Sequence, residues 1–245
     1  MSAERLAELI LENQPCVVLT GAGVSTESGI PDFRSPSGIW GQYDPMEYAT
    51  IRAFHLDPVK VWDFYAKRFA MLVTARPNAA HEALAELERE GYVEAVVTQN
   101  IDRLHELAGS REVVEVHGSI STSSCVACGW QASLDDVLRM LEKAPAPECE
   151  RCGAVLKPDV VMFGELLPIA AIERATEFAG AASLLLVVGS SLGVYPVADL
   201  PRQTLAAGGR LAIVNREPTP YDDEAALVVH AGAGDTLAAV RRAFA

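Results

Sequence analysis

Residues 18–34 read VLTGAGVSTESGIPDFR, in which an apolar strand runs directly into a glycine turn and then into a polar tail. A turn of this kind allows a ligand phosphate to approach the backbone closely where a helix begins. The turn is GAGVS rather than GxGxxG, and glycine turns are common, so this feature alone leaves dinucleotide binding open. The candidate phosphate contacts in the turn are Gly21, Ala22, Gly23, Ser25 and Thr26.

Short runs of Val, Ile and Leu recur along the chain without the polar alternation of a half-exposed strand. Such runs indicate strands buried on both faces of a parallel sheet. Helical stretches separate them, for example His81–Glu90, for which Asn78 is a suitable N-cap. The alternation predicts an α/β fold with a Rossmann-type, doubly wound parallel sheet. The predicted strands are Cys16–Thr20, Val93–Thr98, Val113–Val116, Leu184–Val188, Leu211–Val214 and Leu227–Val229.

Two segments interrupt this alternation and predict a second, smaller domain. Residues 35–77 contain no strand pattern and hold aromatic patches, so we interpret them as a helical insertion. Residues 119–157 hold two CxxC pairs, and we interpret them as a zinc ribbon. The remaining segments, 1–34, 78–118 and 158–245, then form the Rossmann-type domain.

Four of the five cysteines predict a metal site. They form two CxxC pairs separated by twenty residues, and four thiolates close the tetrahedral coordination of a structural Zn²⁺ ion. The same spacing does not exclude an iron or redox site. The fifth cysteine, Cys16, opens an apolar strand and is expected to be a buried core thiol. The predicted zinc ligands are Cys125, Cys128, Cys149 and Cys152.

Composition limits the partners and the location of the chain. Its 245 residues carry a formal net charge of −13, which disfavours direct binding to nucleic acid and suits basic peptides or proteins. No apolar run approaches the roughly 20 residues that a membrane span needs. The first helix carries charges among its apolar residues, unlike a signal peptide, so we expect a cytoplasmic protein.

Polar groups follow several of the predicted strands at their carboxyl ends. TQNIDRLH (98–105), EVHGS (115–119), GSSLGVYP (189–196) and IVNREP (213–218) each begin in or directly after an apolar run. The carboxyl ends of parallel strands lie at one edge of the sheet, where α/β proteins bind their ligands. Each segment alone also suits a packing role, but together they predict one ligand crevice containing amide, hydroxyl and imidazole groups.

These motifs, with GAGVSTESGIPDFR, the paired CxxC and VVMFGE (160–165), resemble in order the signature set of the sirtuins, which are NAD-dependent protein-lysine deacylases. The resemblance covers almost the whole chain and is strongest to the compact bacterial and archaeal members. It implies NAD as cofactor, one structural zinc ion, and acyl-lysine proteins or peptides as partners. It also implies that the acyl group moves to ADP-ribose as nicotinamide leaves.

The resemblance further assigns residues to roles. The tail with Asp32, Phe33 and Arg34 implies a loop that closes over NAD, where Phe33 shields the reactive sugar from water and Arg34 meets phosphate. His117 implies a general base for a ribose hydroxyl, and Asn100 a second catalytic residue. The other implied NAD contacts are Gln99, Ile101 and Asp102 on the nicotinamide side, and Gly189, Ser190, Ser191, Asn215 and Ala233 on the adenosine side.

The same resemblance implies where substrate binds. Val161, Phe163 and Val194 would pair with the peptide as an added strand, although these residues also suit a sheet core. Tyr65 and Arg68 lie three residues apart on one helix face, as in sirtuins that remove succinyl or malonyl groups. Arginine and a phenol suit a carboxylate-ended acyl chain, but a solvated Arg68 and a packing role for Tyr65 fit equally well.

Three other functions remain open at this point. A mono-ADP-ribosyltransferase would share the early chemistry and transfer the sugar to a protein side chain. A Rossmann dehydrogenase would reduce NAD and release no nicotinamide. A metabolite or peptide binder would use the same fold without catalysis, although it would have no need of a base at His117.

Overall fold

The computed structural model describes residues 2–36 and 38–244 and contains the predicted parallel sheet. Six strands lie in the order β3-β2-β1-β7-β8-β9, and every neighbouring pair is parallel. Strands β2 and β3 follow in order on one side of β1, and β7, β8 and β9 follow in order on its other side. The direction in which strands are added therefore reverses between β1 and β7. These strands are β1 (Cys16–Thr20), β2 (Ala95–Thr98), β3 (Val113–Glu115), β7 (Leu184–Val188), β8 (Arg210–Val214) and β9 (Leu227–Val229).

The predicted and observed strands differ by at most two residues at their ends. Val93 lies outside β2 because its N–H donates to the carbonyl of Leu87 at the end of the preceding helix (3.2 Å). Val116 follows β3, yet its N–H still donates to Thr98 O of the neighbouring strand (3.0 Å). The central strands β1, β2 and β7 are buried along their whole length, as continuous apolar runs predict.

Helices cover both faces of this sheet. On one face, α1 (Ser2–Glu12), α5 (Ala79–Arg89) and α10 (Ala233–Ala243) pack against β1, β2 and β7. On the other face lie α8 (Ile169–Ala181) and α9 (Leu200–Ala206), while α6 (Leu104–Ala108) follows β2. Helix α5 begins as predicted, since Asn78 Oδ1 accepts from Ala80 N (2.9 Å) and His81 Nδ1 accepts from Asn78 N (3.3 Å).

The two insertions share one hydrophobic core. Segment 35–77 is helical, with α2 (Pro45–Tyr48), α3 (Ile51–Leu56) and α4 (Pro58–Leu72). The cysteine segment forms an antiparallel sheet in the order β5-β4-β6, from β4 (Gly118–Cys125), β5 (Gln131–Ser133) and β6 (Leu156–Val160), with α7 (Leu134–Leu141) beside it. Trp62 of α4 is fully buried and donates to Leu156 O of β6 (2.7 Å). Strand β6 runs across the boundary predicted at residue 157.

Two apolar features of the sequence take their expected places. The Cys16 thiol is fully buried in the sheet core. Among the described residues, no helix is both long and apolar enough to cross a membrane.

Two histidines are buried together beneath the edge of the sheet where β1 and β2 end. The rings of His81 and His105 lie 4.8 Å apart, and His105 Nε2 is 2.9 Å from the Thr20 hydroxyl. Thr20 donates to the Thr98 hydroxyl (2.8 Å), so its oxygen accepts the proton of His105 Nε2. Burial lowers the pKa of His81 to about 4 and, with repulsion from His81, that of His105 to about 3. Both rings are therefore neutral at pH 7.

We predict that these two histidines make the fold sensitive to mild acid. Both pKa values are lower in the folded chain than in the unfolded chain, so unfolding binds protons below about pH 6.5. Each histidine should remove about 3 kcal/mol from the free energy of unfolding by pH 4. Chemical denaturation at steps from pH 7.5 to 5.0, above the range in which most carboxylates titrate, measures the slope. His105→Gln should flatten it, whereas equal slopes in both proteins would contradict the assignment.

Candidate active site

The candidate site lies at the carboxyl ends of β1, β2 and β7, on both sides of the point where the strand order reverses. The loops after β1 and β7 touch there, since Gly23 N donates to Gly189 O (2.8 Å). A Cβ on Gly23 would lie 2.8 Å from the Gly189 backbone, and one on Gly21 would lie 2.9 Å from Gly189 O. The close approach predicted for Gly21 and Gly23 is therefore made to the neighbouring protein loop. The backbone after Gly21 forms a 3₁₀ helix, Ala22–Ser28.

A buried polar cluster joins this turn to the segment after β2. The Ser25 hydroxyl donates to Asp102 Oδ2 (2.7 Å) and accepts from Asn100 Nδ2 (3.0 Å). Asp102 Oδ1 also accepts from Leu104 N (3.0 Å). Burial is the largest influence on the Asp102 carboxyl and raises its pKa, while these hydrogen bonds act in the opposite direction. Thr26 is not part of the cluster, because its hydroxyl donates back to Gly23 O (3.0 Å).

His117 follows β3 and faces the same crevice. Its Nδ1 is 3.1 Å from the carbonyl oxygen of Gln99, so Nδ1 carries the proton and Nε2 presents a lone pair. Burial lowers the pKa of His117, partly offset by this hydrogen bond, so the ring is neutral at pH 7. The Gln99 side chain donates to the Ser190 hydroxyl (2.9 Å), which joins the segments after β2 and β7. The arrangement provides a proton acceptor held in one tautomer.

The tail of the opening stretch folds over the crevice. Asp32 Oδ1 accepts from the backbone N–H groups of Arg34 (3.0 Å) and Ser35 (2.8 Å), which fixes the turn. Arg34 Nη1 donates to the Ser191 hydroxyl (3.3 Å) across the crevice. The Phe33 ring packs 5.2 Å from the ring of Trp40. The predicted loop thus reaches the segment that follows β7.

The far end of the crevice lies between β8 and the start of α10. Asn215 follows β8, and its side-chain amide donates to Glu217 O (2.7 Å). Ala233 is the first residue of α10 and is buried. Glu27 of the glycine-turn segment accepts from Gly234 N at this helix terminus (3.2 Å). Sequence reasoning did not identify Glu27, and no local pattern relates it to a residue 207 positions away.

The segment after β6 lines the small-domain side. Val161 N donates to His117 O (2.8 Å), so this residue touches the backbone of the candidate base. Phe163 is engaged at both backbone groups, since its N–H donates to Ala49 O (2.8 Å) and its carbonyl accepts from Ile51 N (3.0 Å). The half-exposed ring of Phe163 is therefore the part of this residue that remains available for contact with a ligand. On the opposite side, Val194 O accepts from Ala198 N (2.9 Å).

Tyr65 and Arg68 of α4 are both buried, so Arg68 is not a solvated helix charge. Only 7% of Arg68 is exposed, and burial lowers the pKa of its guanidinium. The guanidinium lies 5.1 Å from the Phe33 ring centroid, and attraction to Asp102 partly offsets the cost of burial. Its Nη1 has no hydrogen-bond partner within the described part of the chain. Burial also raises the pKa of the Tyr65 phenol, which therefore stays protonated.

The four predicted zinc ligands converge. Their sulfur atoms all lie within 4.8 Å of one another. The Sγ distances are 3.5 Å for Cys125–Cys152, 3.6 Å for Cys128–Cys149 and 3.7 Å for Cys128–Cys152. A tetrahedral Zn²⁺ with Zn–S bonds of 2.3 Å places its sulfurs about 3.8 Å apart. The set fits one structural zinc ion, and four protein ligands leave no position for a reacting water.

Comparison with known proteins identifies the family of proteins that share these features. The model of the Sir2 family matches residues 21–196. A protein named NAD-dependent protein deacetylase from Caldivirga maquilingensis is 47% identical over 95% of this chain and 90% of its own length. NAD-dependent protein deacylase 1 from Archaeoglobus fulgidus is 42% identical over 96% of this chain and 94% of its own length.

Solved structures show the same likeness. A Sir2 variant with a deacetylated p53 peptide and 3′-O-acetyl ADP ribose superposes with a TM-score of 0.95 at 41% identity, covering 99% of this chain and 98% of that one. A Sir2 complex with p53 peptide and NAD⁺ has a TM-score of 0.92 at 41% identity, with the same coverage.

We predict that metal removal unfolds the small sheet first. The cysteines connect the β4 end to the β6 start, and Cys125 and Cys149 are part of the shared core. Without metal, their thiolates would repel and that part of the core would open. A strong chelator should release one zinc per chain and expose Trp62, measured by metal analysis and tryptophan fluorescence. Cys128→Ser should do the same, whereas Cys16→Ser should retain the metal. Unchanged fluorescence after full metal loss would contradict a structural ion.

Proposed function

The chain belongs to the Sir2 family, and we propose the following roles for its residues in NAD-dependent removal of acyl groups from protein lysine. The observation that carries the proposal is the fixed tautomer of His117, which leaves Nε2 free as a base in the crevice that holds the Ser25–Asn100–Asp102 cluster. NAD, when bound, supplies the sugar carbon that accepts the acyl oxygen while nicotinamide leaves. The relatives' names favour acyl transfer over the dehydrogenase and mono-ADP-ribosyltransferase alternatives.

Asn100, Ile101 and Asp102 would receive the nicotinamide group. A carboxamide both donates and accepts hydrogen bonds, and this cluster contains an acceptor carboxyl and a donor amide in a buried setting. The Ser25 hydroxyl contacts both Asn100 and Asp102, so it holds these two side chains in fixed relative positions. The buried Ser25–Asn100–Asp102 cluster fits the group in its chemistry.

Phe33 and Arg34 would cover the site. The Phe33 ring would exclude water from the reacting sugar, because a sugar activated for acyl transfer is also open to hydrolysis. Arg34 would meet phosphate in the position where it now donates to Ser191. Asp32 would hold the turn in shape through its two backbone hydrogen bonds.

The remaining cofactor contacts would follow the glycine turn toward the far end of the crevice. Backbone groups of the touching turns would face the phosphates, and hydroxyl and amide groups would bind the ribose and adenine. The residues with these roles would be Gly21, Ala22, Gly23, Thr26, Gln99, Gly189, Ser190, Ser191, Asn215 and Ala233.

His117 would take a proton from a ribose hydroxyl through Nε2. The Gln99 carbonyl holds Nδ1–H, so the ring stays oriented as it gains charge. Because burial lowers the pKa of His117, it would remain a base below the ordinary histidine value of 6.5.

The acyl-lysine peptide would lie between the segments after β6 and β7. The ring of Phe163 would contact the lysine methylenes, and the backbone near Val161 and Val194 would pair with the peptide as an added strand. We expect this reaction in the cytoplasm, which stays a prediction.

The acyl pocket would accept carboxylate-ended chains as well as acetyl. A buried guanidinium with an unpaired N–H is costly, and a succinyl or malonyl carboxylate would satisfy it. The Tyr65 phenol lies one helix turn away and would donate to the same carboxylate. Arg68 thus supports the wider range of acyl groups that its sequence pattern predicted.

We predict peptide-dependent nicotinamide release. Wild-type protein should release nicotinamide from NAD when an acetyl-lysine peptide is present. His117→Ala should reduce deacetylation by about 10²- to 10⁴-fold, because the ribose proton loses its acceptor. His55→Ala, which changes an exposed histidine of α3, should have no effect. Full activity of His117→Ala would contradict the assignment.

We predict that Arg68 determines activity on acidic acyl groups. Arg68→Ala should lower kcat/KM for a succinylated peptide roughly 10- to 100-fold, the effect of a lost charge-assisted hydrogen bond. The acetylated form of the same peptide should change far less. Lys67→Ala is a matched control, because Lys67 lies on the same helix and pairs with Asp63 at the surface. Unchanged succinyl turnover in Arg68→Ala would reject the role.

A further inference from the structure

His230 lies beside Asn215 at the far end of the crevice, where β9 ends. Its Nδ1 is 3.1 Å from Asn215 O, and its Nε2 is 3.4 Å from Asp222 Oδ2. Asp222 is held in turn by Thr219, whose N–H (3.1 Å) and hydroxyl (2.6 Å) both donate to its other oxygen. A carbonyl and a carboxylate only accept hydrogen bonds, so both ring nitrogens face acceptors. Each of the two contacts is a hydrogen bond only when the ring nitrogen that makes it carries a proton.

Asn215 is held at two further groups. Its N–H donates to Val229 O (3.1 Å), and its side-chain amide donates to Glu217 O (2.7 Å). With the amide nitrogen used in this way, the side-chain oxygen Oδ1 would be the group that accepts a hydrogen bond from a ligand, such as a ribose hydroxyl. The His230 contact to the backbone carbonyl is a third bond that holds Asn215 in place.

We propose that His230 is a positioning residue for NAD: its imidazole ring links Asp222 to the backbone of Asn215 and holds that residue ready for the adenosine half. The proposal rests on the function proposed above. His230 is partly exposed and does not itself touch the reacting atoms, so its effect is on cofactor affinity rather than on the chemical step.

The His230 contact has charged neighbours. Asp222 is the ion partner of His230 within residues 2–36 and 38–244, and Asp223 and Glu224 follow it in the same turn. Arg216, next to Asn215, pairs instead with Glu27 (3.7 Å). Replacing the His230 ring would therefore remove the link between Asp222 and the backbone of Asn215.

Calorimetric titration with ADP-ribose tests the proposal, since this probe contains the adenosine half and lacks nicotinamide. His230→Ala should raise the Kd about fivefold, the effect of one lost hydrogen bond. His230→Asn keeps a donor at the Nδ1 position and should restore most of the affinity. His117 is unchanged in all three proteins, so the difference isolates His230.

The outcomes separate the two proposals. His55→Ala should match the wild type, and the inhibition constant of nicotinamide should be the same in His230→Ala and the wild type. If the wild type binds ADP-ribose and deacetylates peptide but His230→Ala has the same Kd, the positioning role is wrong and the function stands. If the wild type does not bind ADP-ribose at all, the proposed function fails and the role of His230 fails with it.

Discussion

The crevice depends on the hydrogen bond between the Ser25 hydroxyl and the Asp102 carboxylate. These residues belong to the segments after two neighbouring parallel strands, β1 and β2, whose carboxyl ends lie at one edge because every strand of the sheet runs the same way. The Gly23–Gly189 contact fixes the third segment, after β7, against the first. Three separate stretches of chain thus form one wall of the crevice, and the position of each stretch depends on the other two.

Burial sets the charge state of this wall. It raises the pKa of Asp102 and lowers those of Arg68 and His117, so in each case the charged form is disfavoured. Attraction between Arg68 and Asp102 opposes that effect for both groups. A carboxyl, a guanidinium and an imidazole therefore share a largely buried site, where the charge of a ligand has a larger effect than it would at the surface. This is a suitable setting for chemistry that must exclude hydrolysis.

The strands, the ligand crevice and the zinc ligands could be predicted because each rests on a local pattern. Continuous apolar runs identified β1 and β7 to the residue, and CxxC spacing identified four sulfurs that the fold does bring together. What the sequence could not reveal depends on contacts between distant residues. The burial of Arg68 against Phe33 excludes a solvated position for this side chain, which the sequence left open. The backbone N–H and carbonyl of Phe163 are both hydrogen-bonded to residues 49–51, a pairing that no spacing rule predicts.

The most direct test of the central claim is a mass balance for one turnover with an acetylated peptide. If the crevice brings acyl-lysine and NAD together as described, each nicotinamide released should be matched by one free lysine and one acetyl group attached to ADP-ribose. Mass spectrometry of the products measures all three. Acetate released in place of acetyl-ADP-ribose, or ADP-ribose attached to protein, would contradict the account.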